Sequence, residues 1–254
     1  MNGLVACGSL ANCLNSGFAP VACGGGYGER DVSSLPLSTA TSAEGRWTGT
    51  TLTGRTVAGL VLDDGSYWLF YTARDNPNVL AGLIQGRGTS HSGSFGSSNT
   101  RDFNLEGRGI RAATMSGSYV PSKTFQGTIA YLNGDTESVT STYDADSESV
   151  PNLTQVAGTY TGVRTGNHSV TLTVDATGRL SGHSTDGCTV AGTLSPPAKD
   201  NVFPTSVTFG GGTCPQGTET FTGVAFYNAA TNRLYSAALN NARSTSFLVL
   251  GTKR

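Results

Sequence analysis

Along most of the chain apolar and polar residues alternate with a period of two, in short runs. From His168 to Asp175, Val170, Leu172 and Val174 fall on one side and Ser169, Thr171 and Thr173 on the other, the pattern of a strand with one dry and one wet face. Breaks at Gly, Asn and Asp divide the chain from residue 45 onward into runs of β-formers. The first set spans about 46–52, 55–63, 65–74, 78–90, 92–105, 109–121, 123–132 and 137–144. The second follows Ser149-Val150-Pro151-Asn152 and spans about 157–164, 168–176, 178–185, 187–195, 202–210, 218–228, 233–240 and 244–253. One run departs from the alternation: Tyr67-Trp68-Leu69-Phe70-Tyr71 is apolar on both faces. It therefore requires cover on both, by a barrel core inside and by the other domain or a linker outside.

Short antiparallel strands joined by tight turns avoid open edges by closing on themselves. The pattern predicts an all-β chain of two tandem small up-and-down β-barrels of about eight strands each, at 45–148 and 149–254. Matching signals open and close the two sets. Gly45-Arg46-Trp47-Thr48-Gly49 answers Gly158-Thr159-Tyr160-Thr161-Gly162, and Thr124-Phe125-Gln126-Gly127-Thr128-Ile129-Ala130-Tyr131 answers Thr220-Phe221-Thr222-Gly223-Val224-Ala225-Phe226-Tyr227. This reads as an internal duplication, with convergence in a Gly/Thr-rich chain as the competing origin. No helix is predicted beyond a turn around Asn228-Ala229-Ala230-Thr231.

Composition sharpens this picture. Thirty-five glycines and only 13% charged residues leave few of the residues that build helices, and glycines inside strands, such as Gly82, Gly86 and Gly96, suit the strong coiling of small barrels. A net charge of −1 with scattered arginines argues against a nucleic-acid partner, which needs a field of one sign. No apolar run reaches the ~18 residues of a membrane-spanning helix.

Residues 1–31 read as a lipoprotein-type signal and tether, and 32–44 as a Ser/Thr/Pro linker. Small residues precede a cysteine twice, at Leu4-Val5-Ala6-Cys7 and at Pro20-Val21-Ala22-Cys23. Cys23 is the preferred lipidation site because it has room upstream for a signal and is followed by Gly24-Gly25-Gly26; Cys7 is the alternative, and Cys13 fits no such signal. Cys188 and Cys214 lie in the strand-rich region without a zinc-ligand spacing nearby, so a disulfide is expected, with two reduced buried thiols as the alternative.

Candidate chemistry is sparse. His91, His168 and His183 have no companion at catalytic or metal-ligand spacing, and no nucleophile elbow or phosphate-binding loop is present. Neither metal nor cofactor is expected, and the chain is read as no enzyme. Asp63-Asp64-Gly65 has the composition of a hairpin turn. Asp102 and Glu106 are expected to pair with Arg101, Arg108 or Arg111 on a solvated face. Those three arginines, with Arg87, form the densest cluster and are candidates to converge on one rim and hold an anionic group. Trp47, Tyr67 and Trp68, with Phe70 and Tyr71, are candidates to line a barrel mouth, against the simpler role of filling a core.

A lipobox-like cysteine, a Gly-rich tether and small barrels opening with Gly-x-aromatic-Thr-Gly resemble Gram-negative outer-membrane surface lipoproteins of the transferrin-binding protein B and factor H-binding protein type. The resemblance covers architecture and carries no ligand-contact residues across. It implies a monomeric, lipid-anchored, non-catalytic binder of a protein or glycan at the outer membrane. A small-molecule carrier with its ligand inside one barrel, periplasmic or secreted, and an inhibitor or immunity protein of a cell-wall enzyme are the alternatives.

Overall fold

The structure, a computed structural model, describes residues 41–149, 152–164, 168–196 and 201–254. The segment expected to be a signal and tether, most of the expected linker, and Cys7, Cys13 and Cys23 lie outside the described residues. The chain from Thr39 to Arg254 forms one compact unit.

The chain is all-β. In order, the first strands are β1 (Gly45–Thr51), β2 (Thr56–Val61), β3 (Ser66–Ala73), β4 (Asn76–Arg87), β5 (Thr89–His91), β6 (Ser94–Asn104), β7 (Gly109–Val120), β8 (Thr124–Tyr131) and β9 (Thr136–Tyr143). A 3-10 turn at Ala145–Glu148 and a one-turn helix, α1 (Leu153–Val156), follow, both absent from the sequence expectation. Each is nucleated by an Asx cap, in which Asp144 and Asn152 accept from the amides of Asp146 and Thr154, a local geometry that competes with extended pairing. The remaining strands are β10 (Gly158–Arg164), β11 (His168–Val174), β12 (Arg179–Ser184), β13 (Thr189–Leu194), β14 (Phe203–Phe209), β15 (Thr220–Asn228), β16 (Arg233–Leu239) and β17 (Ser246–Lys253). All sixteen expected strands lie within three residues of their observed ends; β5 is the addition, a three-residue hairpin arm paired to the start of β6.

Strands β1-β2-β3-β4-β6-β7-β8-β9 pair antiparallel in sequence and β9 returns to β1, Trp47 opposite Tyr143, closing an eight-stranded barrel. Among the nine further strands, β10 to β17 each pair antiparallel with the next, and β17 meets β10 at Tyr160↔Lys253 and Thr161↔Thr252. A short parallel contact, Val163↔Val79, joins β10 to β4.

Three apolar clusters follow from the alternation. Trp47, Val57, Tyr67, Leu69, Phe95, Met115, Phe125, Ile129 and Val139 fill the first barrel. A second cluster, including Tyr160, Leu172, Leu180, Phe203, Phe221, Leu234 and Val249, lies among β10 to β17. The third is built from outward faces: Ala58, Leu60, Trp68, Phe70, Leu80 and Leu83 from β2 to β4 meet Val224, Phe226, Tyr235, Ala237, Leu248 and Leu250 from β15 to β17. The doubly apolar run is thus accounted for, since Tyr67, Leu69 and Tyr71 point into the barrel while Trp68 and Phe70 point into this layer. Phe226 and Tyr235 stack at 4.5 Å within it, with Phe70 edge-on to both.

Arginines fix the edges of the apolar layer by donating to carbonyls across it. Arg46 Nη1 donates to Tyr227 O at 3.2 Å and Arg233 Nη1 to Pro77 O at 2.9 Å. Arg243, at φ 52° in the β16–β17 turn, reaches Gln85 O and Asn99 O, both at 2.9 Å. Arg101 answers by donating to Ala242 O and Arg243 O.

Candidate functional site

The two ends of the first barrel differ. At one end residues 41–44 cross the opening. Ala43 is fully buried, its amide donates to Ser90 Oγ, its carbonyl accepts from Trp47 Nε1 at 2.9 Å, and the Thr41 carbonyl accepts from the Tyr119 hydroxyl. At the other end four hairpins, β1–β2, β3–β4, β6–β7 and β8–β9, surround an open cavity of about 340 Å³.

The inward positions of β3, β6, β7 and β8 place the polar groups of this mouth, because every second side chain of each strand faces the interior. Asp102, only 1% exposed, accepts at Oδ1 from the Tyr71 hydroxyl at 2.7 Å and at Oδ2 from Arg111 Nη2 at 2.7 Å and the Tyr131 hydroxyl at 3.0 Å. Asn104 Nδ2 donates in turn to the Tyr71 oxygen at 3.0 Å. The Arg111 guanidinium stacks 3.7 Å from the Tyr131 ring centre, so a cation–π contact adds to the ion pair. Beside this network Arg55 holds Glu106 through Nη1 at 3.2 Å and Nη2 at 2.6 Å, donates to Thr72 O at 2.9 Å, and lies over the Tyr71 ring. Glu137 accepts from Thr53. Val57, Leu69, Ile84, Ile129 and Val139 supply the apolar floor of the cavity, with Ile84 opposite Asp102 and Val57 opposite Tyr71 in register.

The electrostatics follow from burial and from the Asp102 carboxylate. Burial first, and then Asp102, pushes the Tyr71 and Tyr131 phenols well above their ordinary value, so both remain donors at neutral pH. Burial opposes the Arg111 charge, but the hydrogen bond to Asp102 and the facing phenols outweigh it and hold the guanidinium above its ordinary value. Arg55 is raised in the same way by Glu106 against its own burial.

The residues singled out in the sequence are dispersed. Arg108 and Arg111 reach the mouth. Arg101 does not converge with them: its guanidinium is drawn to the β16–β17 turn, where two carbonyls need donors. Arg87 sits at the opposite end, exposed and 3.7 Å from Asp64. Trp47 and Tyr67 lie deep in the first core and Trp68 in the layer between strand sets, so none lines the mouth. Asp102 pairs with Arg111, one of the partners expected, but in a buried position in place of a solvated face; Glu106 pairs with Arg55. Asp63-Asp64-Gly65 is a turn, with Asp64 accepting from the Ser66 amide and Gly65 at φ 80°.

Of the aromatic candidates Tyr71 does line the mouth, but sequence reasoning missed Tyr71 and Tyr131 as partners of Asp102 and missed Arg55 altogether. A signal was present in the polar residues at inward positions near strand ends, Asp102, Asn104 and Arg111, where alternation alone calls for apolar ones.

Cys188 and Cys214 form a disulfide joining the β12–β13 turn to the β14–β15 connection. Among the described residues no group of three or more His, Cys, Asp or Glu is placed to hold a metal ion. Comparison with models of protein families, with curated proteins and with solved structures finds no match.

Proposed function

We propose that the chain is a non-catalytic binding protein of the bacterial cell envelope, lipid-anchored through Cys23, with the mouth of the first barrel as its ligand site. The observation that carries this reading is the open cavity of about 340 Å³ at one end of a barrel whose other end is sealed by Ala43. Its size falls at the lower end of the ~300–1,000 Å³ typical of small-molecule sites. Asp102, Tyr71, Tyr131 and Arg111 hold one another in place, which is the preorganisation a binding site needs. The disulfide supports an exported location, because such bonds persist in oxidising compartments. The carrier reading thereby moves ahead of a flat protein-binding surface.

Recognition of a protein or glycan partner is the second reading. It is favoured by Leu52 and Leu132, 85% and 89% exposed at the tips of the β1–β2 and β8–β9 hairpins on the rim of the mouth. Isolated exposed apolar residues are common; two on adjoining hairpins beside a cavity are what distinguishes this rim.

We also infer that β10 to β17 close as a second barrel and that the two sets arose by duplication with strands equivalent by order, which matches β15 to β7; the likeness of Thr124–Tyr131 to Thr220–Tyr227, on β8 and β15, is then convergent. The β17–β10 pairing supports closure. A shared hook supports duplication: Trp47 Nε1 donates to Ala43 O, and the Tyr160 hydroxyl donates to Val156 O, each from the third residue of its strand to a carbonyl four residues earlier.

Native mass spectrometry of the full chain, exported to the periplasm of a Gram-negative host, tests the binding reading. A retained small molecule, lost when Tyr131 is replaced by Ala, is the expected result. An empty chain whose Tyr131 and Leu132 resonances respond to no compound of a fragment collection would overturn it.

A further inference from the structure

We propose that the mouth takes a small organic carboxylate, apolar body inward and carboxylate at the guanidiniums of Arg111, Arg108 and Arg74. The inference rests on the reading of the mouth as the binding site and names its ligand class.

Counting charges does not reveal this, because four arginines and four carboxylates line the cavity. Counting hydrogen-bonding capacity does. Asp102 receives three donors and Glu106 two from Arg55, while Glu137 receives one from Thr53 and Asp135 one from Asn133 Nδ2 at 2.8 Å. Arg55 is likewise engaged, but the other three guanidiniums keep most of their donors unused. Arg111 uses Nη2 on Asp102, while its Nε is buried with no acceptor and its Nη1 has none among the described residues. Arg108 is 64% exposed and meets only Asp135, at 3.8 Å. Arg74, exposed at the end of β3, has no hydrogen bond or ion pair among the described residues. Unused guanidinium donors, concentrated on the exposed Arg74 and Arg108, therefore exceed the unused carboxylate acceptors, and their complement is an anion, which arginine grips through two parallel N–H groups.

The apolar floor narrows the class. A fully hydrated inorganic anion gains nothing from Val57, Leu69, Ile84, Ile129 and Val139, whereas an aryl or short alkyl group buries itself there. Register sets Leu69, Ile84 and Asp102 side by side across β3, β4 and β6, one step in from Tyr71, Gly82 and Asn104, while Arg74 and Arg108 lie beyond the strand ends on the hairpins. The ligand then carries its charge outward, where Arg74 and Arg108 remain partly hydrated and the cost of desolvating an ion pair is reduced.

Calorimetric titration of the full chain with benzoate, benzyl alcohol and sulfate at matched ionic strength tests the class. Benzoate is expected to bind at least ~10-fold more tightly than either, since a charge-assisted fork and apolar burial each contribute about that factor. Arg74→Gln and Arg108→Gln, exposed enough to leave folding intact, are expected to weaken benzoate about 3- to 10-fold each and benzyl alcohol not at all. Equal binding of benzyl alcohol would overturn the carboxylate while leaving the mouth a binding site. Equal binding of sulfate would overturn the role of the floor. Absence of binding by all three would overturn the inference, and the retained-ligand experiment above then decides separately whether the mouth binds anything.

Discussion

Arg46 is fully buried, and its Nε donates to Asp144 Oδ2 at 2.8 Å while its Nη1 reaches across to Tyr227 O. The pair lies where β1, the exit of β9 and β15 meet, with the guanidinium 5.5 Å from the Phe226 ring centre. Breaking a buried ion pair by removing one member costs ~3–5 kcal/mol, at the lower end here because Asp144 also accepts from the Asp146 amide and from Asn228 Nδ2. Arg46→Leu is accordingly expected to lower the urea midpoint by that equivalent. A loss under ~1 kcal/mol would show that apolar packing alone carries the junction.

The Asp102 network responds to loss of a donor. Tyr71→Phe keeps the ring and removes one hydrogen bond to a buried carboxylate, an expected destabilisation of ~1–3 kcal/mol measured by thermal or urea melting. Asp102→Leu together with Tyr71→Phe is expected to be less destabilising than the sum of the two changes, because the second no longer strands a charge.

Gly82 permits that network to form. A Cβ there would lie 2.2 Å from the Tyr71 hydroxyl oxygen and 2.7 Å from Phe103 O, closer than non-bonded atoms approach. Gly82→Ala is expected to cost about 1–3 kcal/mol and to shift the Tyr71 ring resonances. An unchanged Tyr71 spectrum with native stability would refute the packing described here.

Alkaline pH is expected to unfold the chain. Burial pushes the phenols of Tyr67, Tyr71, Tyr131, Tyr160 and Tyr235 above the ordinary value of 10.0, with Asp102 adding to the shift at Tyr71 and Tyr131. Unfolded tyrosines release their protons near 10, so above that pH the native state holds more protons than the unfolded one. Stability is then full below about pH 10 and falls as pH rises toward the native values. Urea midpoints at pH 8 and pH 11, with phenolate absorbance followed in parallel, check this. Five tyrosines ionising before the fold opens would contradict it.

Much of the strand order was legible because its causes are local. Val170, Leu172 and Val174 announce a one-faced strand by themselves, and Tyr67 to Tyr71 announce a two-faced one without saying which surface covers the outer side. The site was less legible because its partners come together only through register. Asp102, Tyr71 and Tyr131 are brought together from β6, β3 and β8, and nothing near Asp102 in sequence distinguishes a buried carboxylate from a solvated one. Arg101 lies one residue from Asp102 yet faces the other way, toward a turn more than a hundred residues later.

Reduction of the Cys188–Cys214 bond is expected to add two mass units and to destabilise the β12–β15 region by about 3.5 kcal/mol, the chain-entropy value for a loop of 26 residues. Amide exchange should locate the loss there and leave the first barrel unchanged.

The apolar layer has a consequence for assembly. It joins β2–β4 of the first set to β15–β17 of the second, which under duplication are not equivalent strands, so the contact is head-to-tail. A single barrel carrying both faces would make a heterologous contact with its own copies, which repeats into a ring or an open filament according to the rotation at each step. In the present chain the counterpart strands are clad in hydroxyls: Thr114, Ser116, Ser118, Thr140 and Thr142 on β7 and β9, and Thr173, Ser181, Thr189 and Thr193 on β11–β13, are all exposed. Hydroxyl-bearing strands in those places give a further copy little apolar surface to stack on.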